Sequence, residues 1–156
     1  LALLAPGERP LVTHQGGAAQ FDALRAAYLQ AGVEAEFVPF IDDTAAAFAA
    51  ADLVIARAGA STVTEIAAVG AAALFVPFPQ AVDDHQTRNA EFLVRHEAAW
   101  LMPQAELTPA ALAAFLRARA RTELLATAER AHAQRATGAV DAVVQACEEL
   151  VAGGAR

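Results

Sequence analysis

The sequence contains no lysine and a single cysteine, and both shortages restrict the chemistry open to the chain. Without lysine it can neither form a Schiff base with a carbonyl substrate nor hold a nucleotide through the lysine of a P-loop. The lone Cys147 excludes an internal disulfide and a cysteine-based zinc site, and it weakly favours a reducing compartment. Long apolar runs are also missing: no stretch of about 18 residues lacks a polar interruption, so we expect no transmembrane helix.

Charge of one sign dominates the chain. It carries 18 acidic residues against 11 cationic ones, all of them arginine, for a formal net charge of −7. Because affinity for nucleic acid comes largely from cations that neutralise phosphates, a fold this acidic is a poor general nucleic-acid binder. We therefore expect no nucleic-acid partner.

The length of 156 residues suits one domain, although 44 of those residues are alanine. The remaining hydrophobic residues suffice for one core. The segment 1–5 resembles the tail of a helix ended by Pro6 and Gly7, without a cap or an initiator methionine. We therefore expect the chain to be a piece of a longer protein.

Short apolar runs alternate with helical patterns along the chain. The spacing predicts strands over 11–14, 34–40, 52–56, 72–78 and 98–102, and helices over 18–31, 44–51, 62–69, 85–96 and from 108 onwards. This order predicts an α/β fold with a Rossmann-like parallel sheet, buried under helices on both faces. Ligands of such folds bind beyond the carboxyl ends of the strands, where this chain places its polar clusters.

The first polar cluster runs from Arg57 to Glu65 with the sequence RAGASTVTE. A glycine at a strand end lets a ligand approach the backbone, and the helix that follows offers free N–H groups to a phosphate. Glu65 lies one turn further on, where a carboxylate can accept hydrogen bonds from the two hydroxyls of a ribose. The competing interpretation is a capping box in which Glu65 satisfies the helix start at Thr62.

The second polar cluster follows the most apolar strand and covers residues 77–89. Gln86 and Asn89 lie three residues apart on one helical face, and their amide groups suit sugar hydroxyls. The adjacent residues 83–85 (Asp-Asp-His) form a poor chelating geometry, so no metal site is expected. Alternatively, Asp84 serves only to cap the helix.

Phe40 and Ile41 follow another strand, where an aromatic ring can stack on a planar base while backbone groups read its edge. The alternative is that Phe40 belongs to the core. His14 is expected to be a hydrogen-bonded structural residue, although its segment could line the same cleft. The sequence has neither a Gly-x-Ser-x-Gly elbow nor a Gly-x-Gly-x-x-Gly fingerprint, which disfavours an α/β-hydrolase and a dinucleotide-dependent oxidoreductase.

Three segments taken together closely resemble the MurG family of glycosyltransferases, within glycosyltransferase family 28. They are FIDD (40–43), ADLVIARAGASTVTEIAAVG (51–70) and ALFVPFPQAVDDHQTRNA (73–90), in order and with the family's spacing. The likeness is nearly continuous from about residue 8 to residue 145. Long motifs in register are far more specific than any one of them alone.

The resemblance implies the C-terminal, donor-binding half of a GT-B enzyme over residues 1–156, with a C-terminal helix at about 137–156. The acceptor domain, and the first strand with its glycine-rich loop, are expected to be absent from the chain. The implied donor is UDP-N-acetylglucosamine (UDP-GlcNAc), without metal or cofactor. The implied substrate-binding residues are Phe40 and Ile41 for uracil, Gly59, Ala60, Ser61 and Thr62 for diphosphate, Glu65 for ribose, and His85, Gln86 and Asn89 for the sugar, with Arg57 supporting the phosphate turn or the leaving-group charge.

The family transfers N-acetylglucosamine with inversion to undecaprenyl-pyrophosphoryl-MurNAc-pentapeptide, converting lipid I into lipid II for peptidoglycan. The resemblance implies a cytoplasmic chain whose full-length protein lies on the cytoplasmic face of the inner membrane. Lipid contact and the general base are expected in the missing half, so we expect this chain alone to be inactive. One departure is Glu97, at a place where the family commonly has glycine.

Two alternatives remain open at this point. One is the donor domain of another GT-B UDP-sugar transferase or epimerase. The other is a non-catalytic module that binds nucleotide sugars.

Overall fold

The computed structural model describes residues 1–153, without the side chains of residues 82, 139, 140, 152 and 153. Its elements in chain order are β1 (Thr13–Gln15), α1 (Gly17–Gln30), β2 (Glu36–Val38), α2 (Thr44–Ala50), β3 (Val54–Ala56), α3 (Ala60–Val69), β4 (Ala73–Phe75), α4 (His85–Val94), β5 (Trp100–Leu101), α5 (Pro109–Arg117), α6 (Arg121–Ala133) and α7 (Ala139–Gly153). The predicted α/β alternation is confirmed, and each strand overlaps its predicted segment but is shorter.

The hydrogen-bonded strands fall into two groups instead of one continuous sheet. β1 pairs with β2, and β3, β4 and β5 form a second sheet in that order, with every pairing parallel. The two groups are joined through helices, because α2 follows β2 and packs on α3, which follows β3. Within residues 1–153, four strands each keep one edge without a strand partner, namely β1, β2, β3 and β5.

The core lies around β4, whose three residues are all buried. Ile66 of α3 and Leu93 of α4 cover it and are fully buried, as is Phe75 of the strand itself. The neighbouring β3 behaves differently, because Ile55 is 45% exposed. The expectation of burial on both faces is thus correct for β4 and wrong for β3, and β1 and β2 also have exposed residues.

Helix α3 begins two residues earlier than predicted, and this excludes one of the two interpretations of Glu65. Gly59 is the N-cap and contributes no side-chain cap bond. A capping box would need the glutamate at the third helical position, whereas Glu65 is at the sixth. The capping-box interpretation is therefore wrong, and the carboxylate is not committed to the helix start.

The chain termini also differ in part from the pattern-based expectation. Residues 1–5 form a turn, followed by a short 3₁₀ helix at Pro6–Glu8, so they are not the tail of an α-helix. At the other end α7 occupies Ala139–Gly153, and the remainder of the predicted C-terminal helix, 154–156, lies outside the described residues. Among residues 1–153 we find no helix that is both long and apolar enough to cross a membrane.

Candidate functional site

The start of α3 is open to a ligand. Helix geometry leaves the N–H groups of residues 60–62 without carbonyl partners inside the helix, and the positive end of its dipole lies there. Gly59 has φ −61° and ψ 149°, which any residue adopts, so its backbone does not require glycine. A Cβ placed on it would meet only the Thr62 hydroxyl, 3.7 Å away. The absence of a side chain at Gly59 therefore keeps open the space in front of the helix.

Arg57 joins the ends of several strands beside this opening. Its Nη1 donates to the carbonyls of Val76 and Pro77, at 3.1 and 3.0 Å, and its Nη2 donates to Gln104 Oε1 at 2.6 Å. The guanidinium also lies over the Phe78 ring, 5.4 Å from its centre. These contacts tie the end of β3 to the segments that follow β4 and β5.

Glu65 points towards α2. Its Oε2 accepts a hydrogen bond of 3.2 Å from the hydroxyl of Thr44, the first residue of α2, and both side chains are half-buried. The contact links the loop after β2 to the helix after β3. Two of the predicted ligand segments are thereby brought together.

Phe40 and Ile41 lie in that same loop after β2. Phe40 is 64% exposed, so the alternative that it belongs to the core is wrong. The N–H of Ile41 donates to Gln15 Oε1 at 3.0 Å, which ties the loop to the end of β1. The exposed ring of Phe40 and the backbone groups of Ile41 are thus adjacent at the carboxyl end of the strands.

Asn89 and Gln86 present their amide groups from α4. The Asn89 Nδ2 donates to the carbonyl of Ala58 at 3.1 Å, next to the glycine at the α3 start. The Gln86 Oε1 accepts from the N–H of Phe78 at 2.9 Å. α4 is therefore fixed against the loop after β3 and the loop after β4, and both amides lie near the opening.

The segment 83–85 is a tight turn leading into α4. Asp83 and Asp84 both have φ 52°, a left-handed conformation that is uncommon for residues other than glycine. Asp84 occupies the N-cap position but makes no cap bond, and its Oδ1 instead accepts from the Thr87 hydroxyl at 2.6 Å. The simple capping role for Asp84 is therefore wrong. The side chain of His85 is exposed.

The structural role expected for His14 is confirmed. Its Nδ1 shares a hydrogen bond of 2.9 Å with the Tyr28 hydroxyl, and the two rings meet edge to face. Burial lowers the pKa of His14 and raises the pKa of Tyr28. The imidazole therefore joins β1 to α1 in its neutral form.

The family model described as "Glycosyltransferase family 28 C-terminal domain" matches residues 4–146, more than nine-tenths of the chain. The chain belongs to this family. The resemblance inferred from the three sequence segments is thereby confirmed.

Individual members of the family are similar over nearly the whole chain. A protein of Albidiferax ferrireducens is 63% identical over 151 residues, and one of Verminephrobacter eiseniae is 60% identical over 152 residues. Both are named UDP-N-acetylglucosamine–N-acetylmuramyl-(pentapeptide) pyrophosphoryl-undecaprenol N-acetylglucosamine transferase. In each case the match covers 97% of this chain but only 39% and 42% of the relative, so the chain spans about two-fifths of their length.

A solved structure is also similar to this chain in its fold. The crystal structure of Acinetobacter baumannii MurG superposes with a TM-score of 0.85 at 40% sequence identity. The match covers 96% of this chain and 45% of that one. The Rossmann-like α/β fold, as found in the C-terminal half of a GT-B enzyme, is confirmed.

Two contact residues were missed by the sequence analysis. The sequence pattern predicts Thr44 only as the first residue of a helix. Gln104 lies in a predicted loop, and no motif there marks it as a contact residue. Their roles depend on contacts across 21 and 47 residues. Local patterns contain no information at that separation.

Proposed function

We propose that the chain is the donor-binding domain of an inverting transferase that moves N-acetylglucosamine from UDP-GlcNAc to undecaprenyl-pyrophosphoryl-MurNAc-pentapeptide. The observation that carries the proposal is the open start of α3 at Gly59, on a helix whose half-buried Glu65 is hydrogen-bonded to Thr44, four residues after the exposed Phe40. The names of the relatives at 60–63% identity support the same donor and acceptor.

The diphosphate is assigned to the start of α3. Gly59, Ala60, Ser61 and Thr62 offer backbone N–H groups at the positive end of the helix dipole, with the Ser61 and Thr62 hydroxyls as additional donors. Arg57 precedes this turn, and its side chain is fixed in place by hydrogen bonds to the carbonyls of Val76 and Pro77. Charge that develops on the departing UDP is then stabilised by donors that are already in position.

The nucleoside is assigned to the loop after β2. Phe40 is exposed and covers the uracil, while the backbone of Ile41 reads its edge. Since the Ile41 N–H donates to Gln15, uracil must either share this donor or displace the Gln15 amide. Glu65 accepts the ribose hydroxyls, because an ionised carboxylate is acceptor-only and has several lone pairs.

The sugar is assigned to α4 through His85, Gln86 and Asn89. The last two side chains are already fixed by hydrogen bonds to Phe78 and Ala58, so their orientation needs little adjustment on binding. This arrangement aims amide groups at hydroxyls near the phosphate turn. It orients the anomeric carbon for attack by the acceptor hydroxyl.

The remaining parts of the enzyme are assigned to residues outside this chain. We infer that the acceptor domain supplies the general base and the attachment to the cytoplasmic face of the inner membrane. The open edges of β1 and β3 suit one further parallel strand, which would carry the glycine-rich loop and unite the two sheets. This chain alone is then expected to bind donor weakly and to transfer no sugar to a lipid I analogue.

Isothermal titration with UDP-GlcNAc tests the proposal, with a Glu65→Ala variant in parallel. The wild type should bind UDP-GlcNAc in preference to NAD. In the variant the free energy of binding UDP-GlcNAc should weaken by about 1–3 kcal/mol, because a charged acceptor of ribose hydroxyls is removed. Equal affinity of the two proteins, or preference for NAD, would refute the assignment.

A further inference from the structure

Thr44 is the one described residue outside the predicted site whose side chain contacts the Glu65 carboxylate in a hydrogen bond. The hydroxyl donates to Oε2 at 3.2 Å. A carboxylate on a free side chain rotates among several rotamers, whereas one oxygen fixed by a donor leaves the other in a defined direction. The contact therefore restricts the direction of the Glu65 carboxylate, to which the ribose hydroxyls are assigned.

The donor itself is held rigidly. Thr44 is β-branched, which restricts its χ1 angle, and it is the first residue of α2. Asp43 caps that helix by accepting from the Ala46 N–H at 2.8 Å. Phe48, one turn further along α2, packs against the core beneath α3. The hydroxyl is thus supported from a helix that is anchored at its start and along its packed face.

We propose that Thr44 is a positioning residue for ribose recognition, which orients Glu65 through the hydroxyl-to-carboxylate hydrogen bond. This inference rests on the proposed function, since it assumes that Glu65 accepts the ribose hydroxyls. The same bond joins the base-reading loop after β2 to the helix that holds the diphosphate.

The consequence is discrimination between ribose and deoxyribose. An oriented carboxylate gains one hydrogen bond from the 2′-hydroxyl of UDP that 2′-deoxy-UDP cannot give. Without Thr44 the carboxylate is free to rotate, and ordering it to form the same bond costs conformational entropy. The preference for UDP over 2′-deoxy-UDP therefore becomes smaller. A merely structural role would lower the stability of the fold without changing this ratio.

The test measures the dissociation constants of UDP and 2′-deoxy-UDP for the wild type, Thr44→Val and Thr44→Ser. Valine keeps the shape of threonine and removes the donor, while serine restores the hydroxyl. Thr13→Val is the matched control, because Thr13 donates to Glu36 Oε2 at 2.9 Å in a second threonine–glutamate pair on β1 and β2. Thermal unfolding of all four proteins records any loss of stability.

We expect the wild type to prefer UDP about tenfold, which corresponds to about 1.4 kcal/mol. Thr44→Val should reduce the preference to threefold or less, and Thr44→Ser and Thr13→Val should both retain it. An unchanged preference in Thr44→Val overturns the role of Thr44 while leaving the proposed function intact. Failure of the wild type to bind either nucleotide overturns the proposed function, and this inference with it.

Discussion

Glu97 carries backbone strain that a glycine would remove. It has φ 53°, immediately before the segment leading to β5, and a side chain in this left-handed region costs about 1–2 kcal/mol. The greater entropy of glycine in the unfolded chain offsets part of the gain. Glu97→Gly should therefore raise the free energy of unfolding by up to about 1 kcal/mol in urea denaturation.

The matched control is Glu129→Gly, in the interior of α6, where glycine should cost about 1 kcal/mol. The carbonyl of Glu97 accepts from Arg130 Nε at 2.7 Å, and this backbone contact is unaffected by the substitution. A loss of stability in Glu97→Gly comparable to that of the control would contradict the account.

His14 should make the stability of the fold depend on pH. Burial holds the pKa of its imidazole below the usual value near 6.5, so the unfolded chain binds more protons as the pH falls through that value. The contribution of the neutral ring is complete above about pH 6.5 and is lost as the pH falls through the lower pKa of the folded state.

Urea denaturation at about pH 7.5 and about pH 5.5 measures this effect. The wild type should lose more stability between the two conditions than His14→Asn, which retains a polar partner for Tyr28 but has no titrating ring. Equal losses in the two proteins would show that His14 does not couple folding to protonation.

The sequence allowed Phe40, Glu65 and Asn89 to be predicted as candidates, because each follows a strand and has a chemistry that suits a nucleotide sugar. It left two interpretations open for Phe40 and for Glu65. Exposure excludes the core for Phe40, and helix register excludes the capping box for Glu65. Thr44 and Gln104 could not be predicted, since their partners are distant in sequence and only tertiary packing brings them together.

At the scale of elements, α3 has a glycine at each end, and the two serve different purposes. Gly70 has φ 77° and a Cβ there would lie 2.9 Å from the Cβ of His132, so the fold requires this glycine. Gly59 has ordinary dihedral angles and open space in front of it. Gly70 is therefore structural, whereas for Gly59 we propose that it allows the close approach of a ligand.

Paired substitutions separate these purposes. Gly70→Ala should lower the free energy of unfolding by about 1–2 kcal/mol. Gly59→Ala should leave unfolding nearly unchanged but weaken UDP-GlcNAc binding about tenfold, since its methyl group enters the space assigned to the diphosphate. Wild-type affinity in a folded Gly59→Ala protein would contradict the placement of the phosphates.

Element order was predictable from the alternation of apolar runs with helical spacing, but element boundaries were not. The strand over 72–78 was identified by its continuous apolar run and is buried as expected. The similar run over 52–56 leaves Ile55 exposed, because the face that a strand buries depends on its neighbours in the sheet. The start of α3 was misplaced because Ser61 and Thr62 are good capping residues that lie inside the helix.

At the scale of the whole molecule, the alternation of apolar runs and helices predicts one parallel sheet, whereas the strands form two separate parallel groups. The order of strands along the chain contains no information on whether a strand from elsewhere separates β1 from β3. The polar ends of the strands nevertheless lie on linked loops. The Gln15–Ile41 hydrogen bond joins the ends of β1 and β2, and the Thr44–Glu65 hydrogen bond crosses from there to the helix after β3. The candidate site is thus assembled across the gap.

The most direct test is an amide NMR titration of the chain with UDP-GlcNAc, using ATP as the control nucleotide. The account predicts shifts concentrated at residues 40–41, 59–65 and 85–89, with weaker or absent shifts for ATP, because the proposed site reads uracil and the sugar together with the diphosphate. Shifts spread over surfaces away from these residues, or no shifts at saturating donor, would contradict a donor site at the start of α3.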